Sequence, residues 1–427
     1  MKQYYPVIVV GGGQAGLAIS YCLKTRGIDH LVFEKNHIGY SWQQKRWDNF
    51  CLVTPNWQCM LPGYHYSGDE PGGFMHRDEV VDYVQNYARS FNPPIHEGVE
   101  VFSVSRNNSQ GLFELATSMG NYRANQVVIA IGGYHDAKIP RMADKFADEI
   151  LQFHSSEYKN PQSLPEGEIL VVGSGQSGCQ IAEDIHLTGR KVHLCVGRAP
   201  RSPRRYRGKD LVDWLEEMGY YALTIDNHPD KENVRTKTNH YVTGRGGGRE
   251  IDLRTFATEG MQLYGSLKNI RGDHLEFEAN LQDNLDRADG VAESIKTTID
   301  DYINRSQIEA PLEPAYQPVW QPTNEVLTLN YQKANITSVI WCVGYQTNFR
   351  WVKVPVFDGQ GYPSHDRGVT SVRGLYFLGL PWLYTWGSGR FSGIAGDAEY
   401  LADYIAVKMK HAYPGSLLAV NEAAFGS

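Results

Sequence analysis

Short, continuous apolar runs recur along this chain, most of them ending in glycine, and stretches of helical periodicity separate them. Val7-Ile8-Val9-Val10 leads into Gly11-Gly12-Gly13-Gln14-Ala15-Gly16. Leu17 to Lys24 then sets apolar residues at helical spacing and stops at Gly27, after which Leu31-Val32-Phe33 ends on an acid, Glu34. Apolar runs of this length predict buried strands, and the periodic stretch between them predicts a helix. The same order begins again at Ile169-Leu170-Val171-Val172, which opens on Gly173-Ser174-Gly175-Gln176-Ser177-Gly178. A shift of 162 residues superimposes the two glycine clusters and also Gly27 on Gly189. A repeated strand-turn-helix-strand unit predicts an α/β protein with two Rossmann-like domains.

Elsewhere the pattern is less regular. Gly39 to Gly63 is rich in aromatics and prolines and fits no regular helix, which makes it a candidate wall over a flat cofactor ring. Arg77 to Ala88 is amphipathic, with Asp78-Glu79 opening it and Val80, Val81, Tyr83, Val84 and Tyr87 on its apolar side. Val99 to Val101 and Leu112 to Leu115 predict strands of a meander, and Val127 to Ile131 a buried strand ending at Gly132-Gly133. Lys209 to Met218 predicts a helix, Leu263 to Ile270 and His274 to Phe277 two strands, and Asn284 to Asn304 a long surface helix. Val339 to Val343 runs into Gly344, and Gly374 to Gly379 is followed by a loop and by Phe391-Ser392-Gly393, which open a last helix. The expected organisation is a first domain over 1–160, a second over 161–330 with an insertion at about 204–314, and a return to the first over 331–427. Thr243 to Arg249 is glycine-rich but follows no strand, so it reads as a mobile loop rather than a third phosphate cradle.

The glycine clusters carry the chemistry. Gly11 permits a tight turn, Gly13 lets the backbone approach a pyrophosphate, and Gly16 lets helix pack on strand, with the phosphate on the helix N-terminal amides. Glu34, 23 residues after Gly11, stands where a carboxylate accepts from a ribose. Gly173, Gly175 and Gly178 repeat these tasks, with Gln176 and Ser177 on the turn. The position equivalent to Glu34 is Val196, followed by Arg198 and then Arg201, Arg204 and Arg205. A missing acid with guanidinium groups nearby favours a 2′-phosphate, so the first site is expected to take FAD and the second NADPH, with Arg198 on that phosphate.

Composition narrows the setting. Net charge is −7 and hydrophobic residues make up 41%, which gives no sign of nucleic acid or of an anionic membrane as partner. No apolar run reaches the ~18–20 residues of a membrane span, and the first strand begins within six residues of the start, so a cytoplasmic enzyme is expected. The six cysteines show neither C-x-x-C nor metal-ligand spacing, so they are expected to be reduced packing residues and no metal is expected.

In order, Gly11 to Gly16, Gly39 to Trp42, Thr54-Pro55, Gly173 to Gly178, Cys342 to Tyr345 and the glycine-rich last helix resemble the class B flavoprotein monooxygenases, which include flavin-containing monooxygenases and the YUCCA enzymes. The stretch from Arg204 to Pro314 is similar to a bacterial branch of flavin-dependent oxidoreductases found beside nitrilase-type genes. The family's linker reads F-x-G-x-x-x-H-x-x-x-[FYW]; His154 and Tyr158 match its second half, while Phe146 lies eight residues upstream instead of six and Asp148 replaces the glycine. The resemblance implies FAD, NADPH and O2, oxygen insertion into a small-molecule substrate through a C4a-hydroperoxyflavin, and N- or S-oxygenation over Baeyer-Villiger chemistry. It places Trp42, Thr54, Gly344, Gly379, Ser392 and Gly393 at the cofactors, His154 at the domain linker, and Asn56, whose family counterpart aligns nearest Pro55, as donor to the oxygenated flavin. The insertion at 204–314 offers a surface for a homodimer. An NAD(P)H-dependent flavin reductase or oxidase would share both glycine clusters; the Gly39 to Gly63 and His154 motifs favour oxygen insertion.

Overall fold

The computed structural model describes residues 3–107 and 109–412. Its first unit begins with strand β1 (Tyr4–Val10), helix α1 (Gln14–Thr25) and strand β2 (His30–Phe33), β1 and β2 being parallel. Val7, Ile8 and Val9 are fully buried, as are Leu17, Ala18 and Ile19 on α1, so strand and helix close one core between them. A short helix, α2 (Tyr40–Gln44), follows Gly39 at φ 85°, inside the stretch expected to lack regular helix; a five-residue turn is too short to leave a periodic signature. Helix α3 (Arg77–Phe91) buries the residues its periodicity marked. Strands β3 (Val101–Asn107), β4 (Leu112–Thr117) and β5 (Gly120–Ile129) form the meander, and β5 returns parallel to β1.

The second unit is a five-stranded, all-parallel sheet. In spatial order it runs β6 (Leu151–His154), then β10, then β7 (Glu168–Val172), then β8 (Val192–Cys195), then β9 (Gln262–Tyr264), where β10 is Ile336–Trp341. Helix α4 (Gln176–His186) lies between β7 and β8 in the chain. The inserted segment adds α5 (Leu211–Glu217) and the long helix α6 (Leu281–Ser306). Leu263 to Ile270 is two strands broken at Gly265, where a Cβ would lie 2.0 Å from the Glu278 carbonyl. Strand β11 (Leu375–Phe377) rejoins the first sheet beside β5, and α7 (Ile394–Ala412) completes the chain.

Sheet pairing also shows where the chain passes between the units. Both β6, before residue 160, and β10, after residue 331, belong to the second sheet. The passing strands Asp136–Ala137 and Tyr345–Gln346 pair antiparallel with each other, so the two connections run side by side.

Candidate cofactor and active site

The repeat in sequence is a repeat in stereochemistry. Gly11 has φ 107° and Gly173 φ 102°, a left-handed region that favours glycine. A Cβ on Gly16 would lie 1.8 Å from the Gly11 carbonyl oxygen, and one on Gly178 the same distance from that of Gly173. Gly13 and Gly175 cap α1 and α4 with extended backbone and no side-chain cap. The first amides of both helices are therefore left for another acceptor, and the helix field there favours an anion. A Cβ on Gly13 meets nothing within 4 Å, so the space beside this turn is open.

Around the first turn, Glu34 accepts hydrogen bonds from the amides of Gly12 (2.7 Å) and Asn36 (2.9 Å). Gln14 donates through Nε2 to the Gly389 carbonyl (3.0 Å), which ties the turn to the loop before α7. Gly379, at φ 79°, leaves only 2.6 Å between its Cβ position and Ala15, so the end of β11 lies against α1. Trp42 on α2 stacks on Phe391 at 5.6 Å. Among the described residues the buried Ser392 Oγ has no hydrogen-bond partner, and Gly393 packs against Gly387. Thr54 is half-buried. An orphaned hydroxyl, an uncapped helix and an open glycine turn on interlocked elements fit a bound dinucleotide.

Asn56 stands differently from expectation. Its Nδ2 donates to the Glu70 carbonyl (2.9 Å), its Oδ1 accepts from the Met75 amide (2.7 Å), and it is buried. It staples the loop over 70–75, with one of its two Nδ2 donors engaged there. His154 is fully buried, with Nε2 against the Gly344 carbonyl (3.1 Å) and Nδ1 accepting from the Ser156 amide (3.2 Å). Burial lowers its pKa, which favours the neutral ring these bonds require. It therefore pins the first connection to the second. Tyr158, four residues on, donates to Asp184 on α4 (2.7 Å).

The second site corrects two further expectations. Arg201 and Arg204 are buried in ion pairs, Arg201 with Asp289 (2.9 Å) and Glu250 (3.3 Å), Arg204 with Asp210 (2.5 Å); neither is free for a phosphate. Arg205 is exposed and donates to the Gly247 carbonyl. Arg198 remains, exposed, on a cleft of about 490 Å3 lined also by Asn280, Asp283, Asn284, Asp286 and Arg287. Gln176 donates to the Val242 carbonyl (2.5 Å), Ser177 is half-buried at the first turn of α4, and Ser174 Oγ accepts from the Gly197 amide (2.9 Å). The glycine run over 243–249 is a held loop, not a mobile one. Arg245 pairs with Asp184 (2.7 Å) and Arg249 with Glu183 (2.9 Å), while Gly244 leaves 2.0 Å between its Cβ position and the Leu52 carbonyl. Sequence reading missed this joint because both acids sit inside α4, where they look like solvated helix positions. All six cysteines are free thiols; burial pushes Cys51 to about 11 and Cys59 to about 12.

Residues 8–256 match the family model described as pyridine nucleotide-disulphide oxidoreductase, and the chain belongs to that family. Within it, the chain is 34% identical over 409 residues to the uncharacterized oxidoreductase CzcO-like of Geobacillus kaustophilus, covering 95% of this chain and 99% of that one. It is 28% identical over 418 residues to the probable indole-3-pyruvate monooxygenase YUCCA4 of Arabidopsis thaliana, covering 93% and 89%. The flavin-containing monooxygenase from Stenotrophomonas maltophilia shares the fold, with a TM-score of 0.65 at 18% identity over 96% of this chain and 100% of that one. The chain is an oxidoreductase of this two-dinucleotide class. Among the described residues no helix is long and apolar enough to cross a membrane.

Proposed function

We propose that the chain is a monooxygenase that binds FAD at the first glycine turn and NADPH at the second, and inserts one oxygen atom from O2 into a small organic substrate at nitrogen or sulfur. Bound FAD, reduced by NADPH, supplies the redox and oxygen chemistry. The pair of matched, uncapped glycine turns carries the two-dinucleotide part of the reading, and the monooxygenases among the relatives support oxygen insertion.

The protein's own part is positional. The amides of α1 and α4 hold one pyrophosphate each, and Arg198 meets the 2′-phosphate. Trp42 and Phe391 form an apolar stack at the ring end, and Ser392 Oγ with the first amides of α7 donates where negative charge collects on reduced flavin. His154, Tyr158 and the Arg245–Asp184 joint keep the two units in register for hydride transfer. Closely set aromatics exclude water from that junction. The first test is flavin content: protein purified without added cofactor, heat-released and separated by chromatography, should yield about one FAD per chain. Protein that neither retains nor takes up FAD contradicts the reading.

A further inference from the structure

Two half-buried arginines lying over aromatic rings contrast with three fully buried ones. Arg201, Arg204 and Arg254, all buried, face carboxylates within 3 Å, as the cost of an unpaired buried charge requires. Arg390 and Arg46 do not: among the described residues neither makes an ion pair, yet burial lowers the pKa of both guanidinium groups. Both remain half-buried, so each meets an opening rather than closed core.

Arg390 lies flat on Trp386, 3.9 Å from the ring centroid. It donates to the Trp386 carbonyl (2.5 Å) and to Asn239 Oδ1 (3.1 Å). A guanidinium has five N–H groups, and its remaining donors meet no acceptor among the described residues. The surrounding walls come from both halves of the chain. Tyr221 packs on Trp386 at 4.7 Å and on Tyr220 at 5.7 Å, and Ile225 donates its amide to the Tyr384 carbonyl (2.7 Å). Arg46 lies over Trp42 (5.3 Å) and Phe50 (5.5 Å), and Trp42 stacks on Phe391, the residue after Arg390.

We infer that Arg390 forms an anion site that takes the carboxylate of the substrate, so the enzyme acts on small organic acids whose apolar part lies among Tyr220, Tyr221 and Trp386. The dinucleotide phosphates already have donors of their own at the two uncapped helices and at Arg198, and aromatic walls suit a carbon skeleton better than a phosphate. A planar guanidinium held on an indole face presents paired donors to a carboxylate. Naming the occupant a substrate rests on the monooxygenase reading of the junction.

The test uses holoenzyme and two isosteric thioethers, (phenylthio)acetate and (phenylthio)acetamide, with benzylamine as the cation, each titrated against the flavin absorbance spectrum. The acid should bind about tenfold more tightly than the amide, a difference of ~1.4 kcal/mol, with benzylamine weakest. Arg390→Gln should erase the preference for the acid, and Arg390→Lys should keep part of it. NADPH affinity and flavin content should match wild type in Arg390→Lys. Equal binding of acid and amide, or no binding of the acid at millimolar concentration, overturns the inference. So does an Arg390→Gln variant that loses NADPH or FAD affinity while preferring the acid. If the acid preference holds but the reduced enzyme forms no oxygenating species, the monooxygenase reading fails and the anion site stands.

Discussion

In the first unit the strand after the helix ends on Glu34, and the backbone amide of Gly12 donates to its carboxylate. In the second unit the equivalent strand ends on Val196, and the contact is reversed: Ser174, at the position of Gly12, accepts from the Gly197 amide through its hydroxyl. A Cβ on Gly12 would stand 2.7 Å from the Glu34 Cβ and from Ile95 Cδ1, so this turn is too crowded for a side chain, while its counterpart carries the buried Ser174. Each turn thus closes on its own second strand, with a carboxylate in one case and with a hydroxyl in the other. Only the first leaves a carboxylate at the turn; the second leaves Arg198 on an open cleft. On the proposed reading, this difference is what lets two matched turns take different dinucleotides.

Perturbations of this pair should fall in order of size. The largest effect belongs to the shared stereochemistry. Gly16→Ala and Gly178→Ala each drive a methyl to 1.8 Å from a carbonyl oxygen. Both should cost at least ~3 kcal/mol and yield little soluble protein; thermal melts of either variant within a degree of wild type would break the comparison at its base.

Next come the cradles themselves. Gly13→Val adds a side chain where nothing stands within 4 Å, so the apo chain should melt normally while FAD is lost. Gly175→Val should spare FAD and weaken NADPH, since charged hydrogen bonds of ~1.5–3 kcal/mol are displaced. Spectra and NADPH titrations on the same preparations separate the two. Crossed effects, with each variant losing the other's dinucleotide, would reverse the assignment.

Discrimination is smaller. Arg198→Ala should raise the KM for NADPH about tenfold to a hundredfold and leave that for NADH nearly unchanged. An equal change in both would remove Arg198 from the 2′-phosphate and leave Arg287, on the same cleft, as the cation to examine.

The smallest effect concerns the pin between the units. Burial lowers the pKa of His154 from its ordinary 6.5. The unfolded chain therefore binds a proton at higher pH than the folded one, and the stability from the neutral ring is present above about 6.5 and lost as pH falls below it. Melting temperature should drop on acidification through that range, and His154→Gln should flatten part of the drop. An unchanged acid limb would mean that His154 contributes nothing to it.

What could be read in the sequence was local. The glycine turns, Glu34 and the periodic face of α3 all depend on residues within one strand or one helix, so spacing alone exposes them. What could not be read was long-range pairing. Asn56 is occupied by Glu70 and Met75, Arg204 by Asp210 and the Val53 carbonyl, and Arg245 by an acid 61 positions earlier. Strands β6 and β10, from segments far apart in the chain, join one parallel sheet, a pairing that leaves no local signal.

The most direct test of the account mixes NADPH-reduced holoenzyme with oxygen in a stopped-flow spectrometer, without substrate. The account expects a long-lived absorbance band distinct from reduced and oxidised flavin, decaying faster when an oxidisable acid is added. Direct return to oxidised flavin with stoichiometric peroxide, whether or not such an acid is present, would contradict it and make the chain a reductase or oxidase.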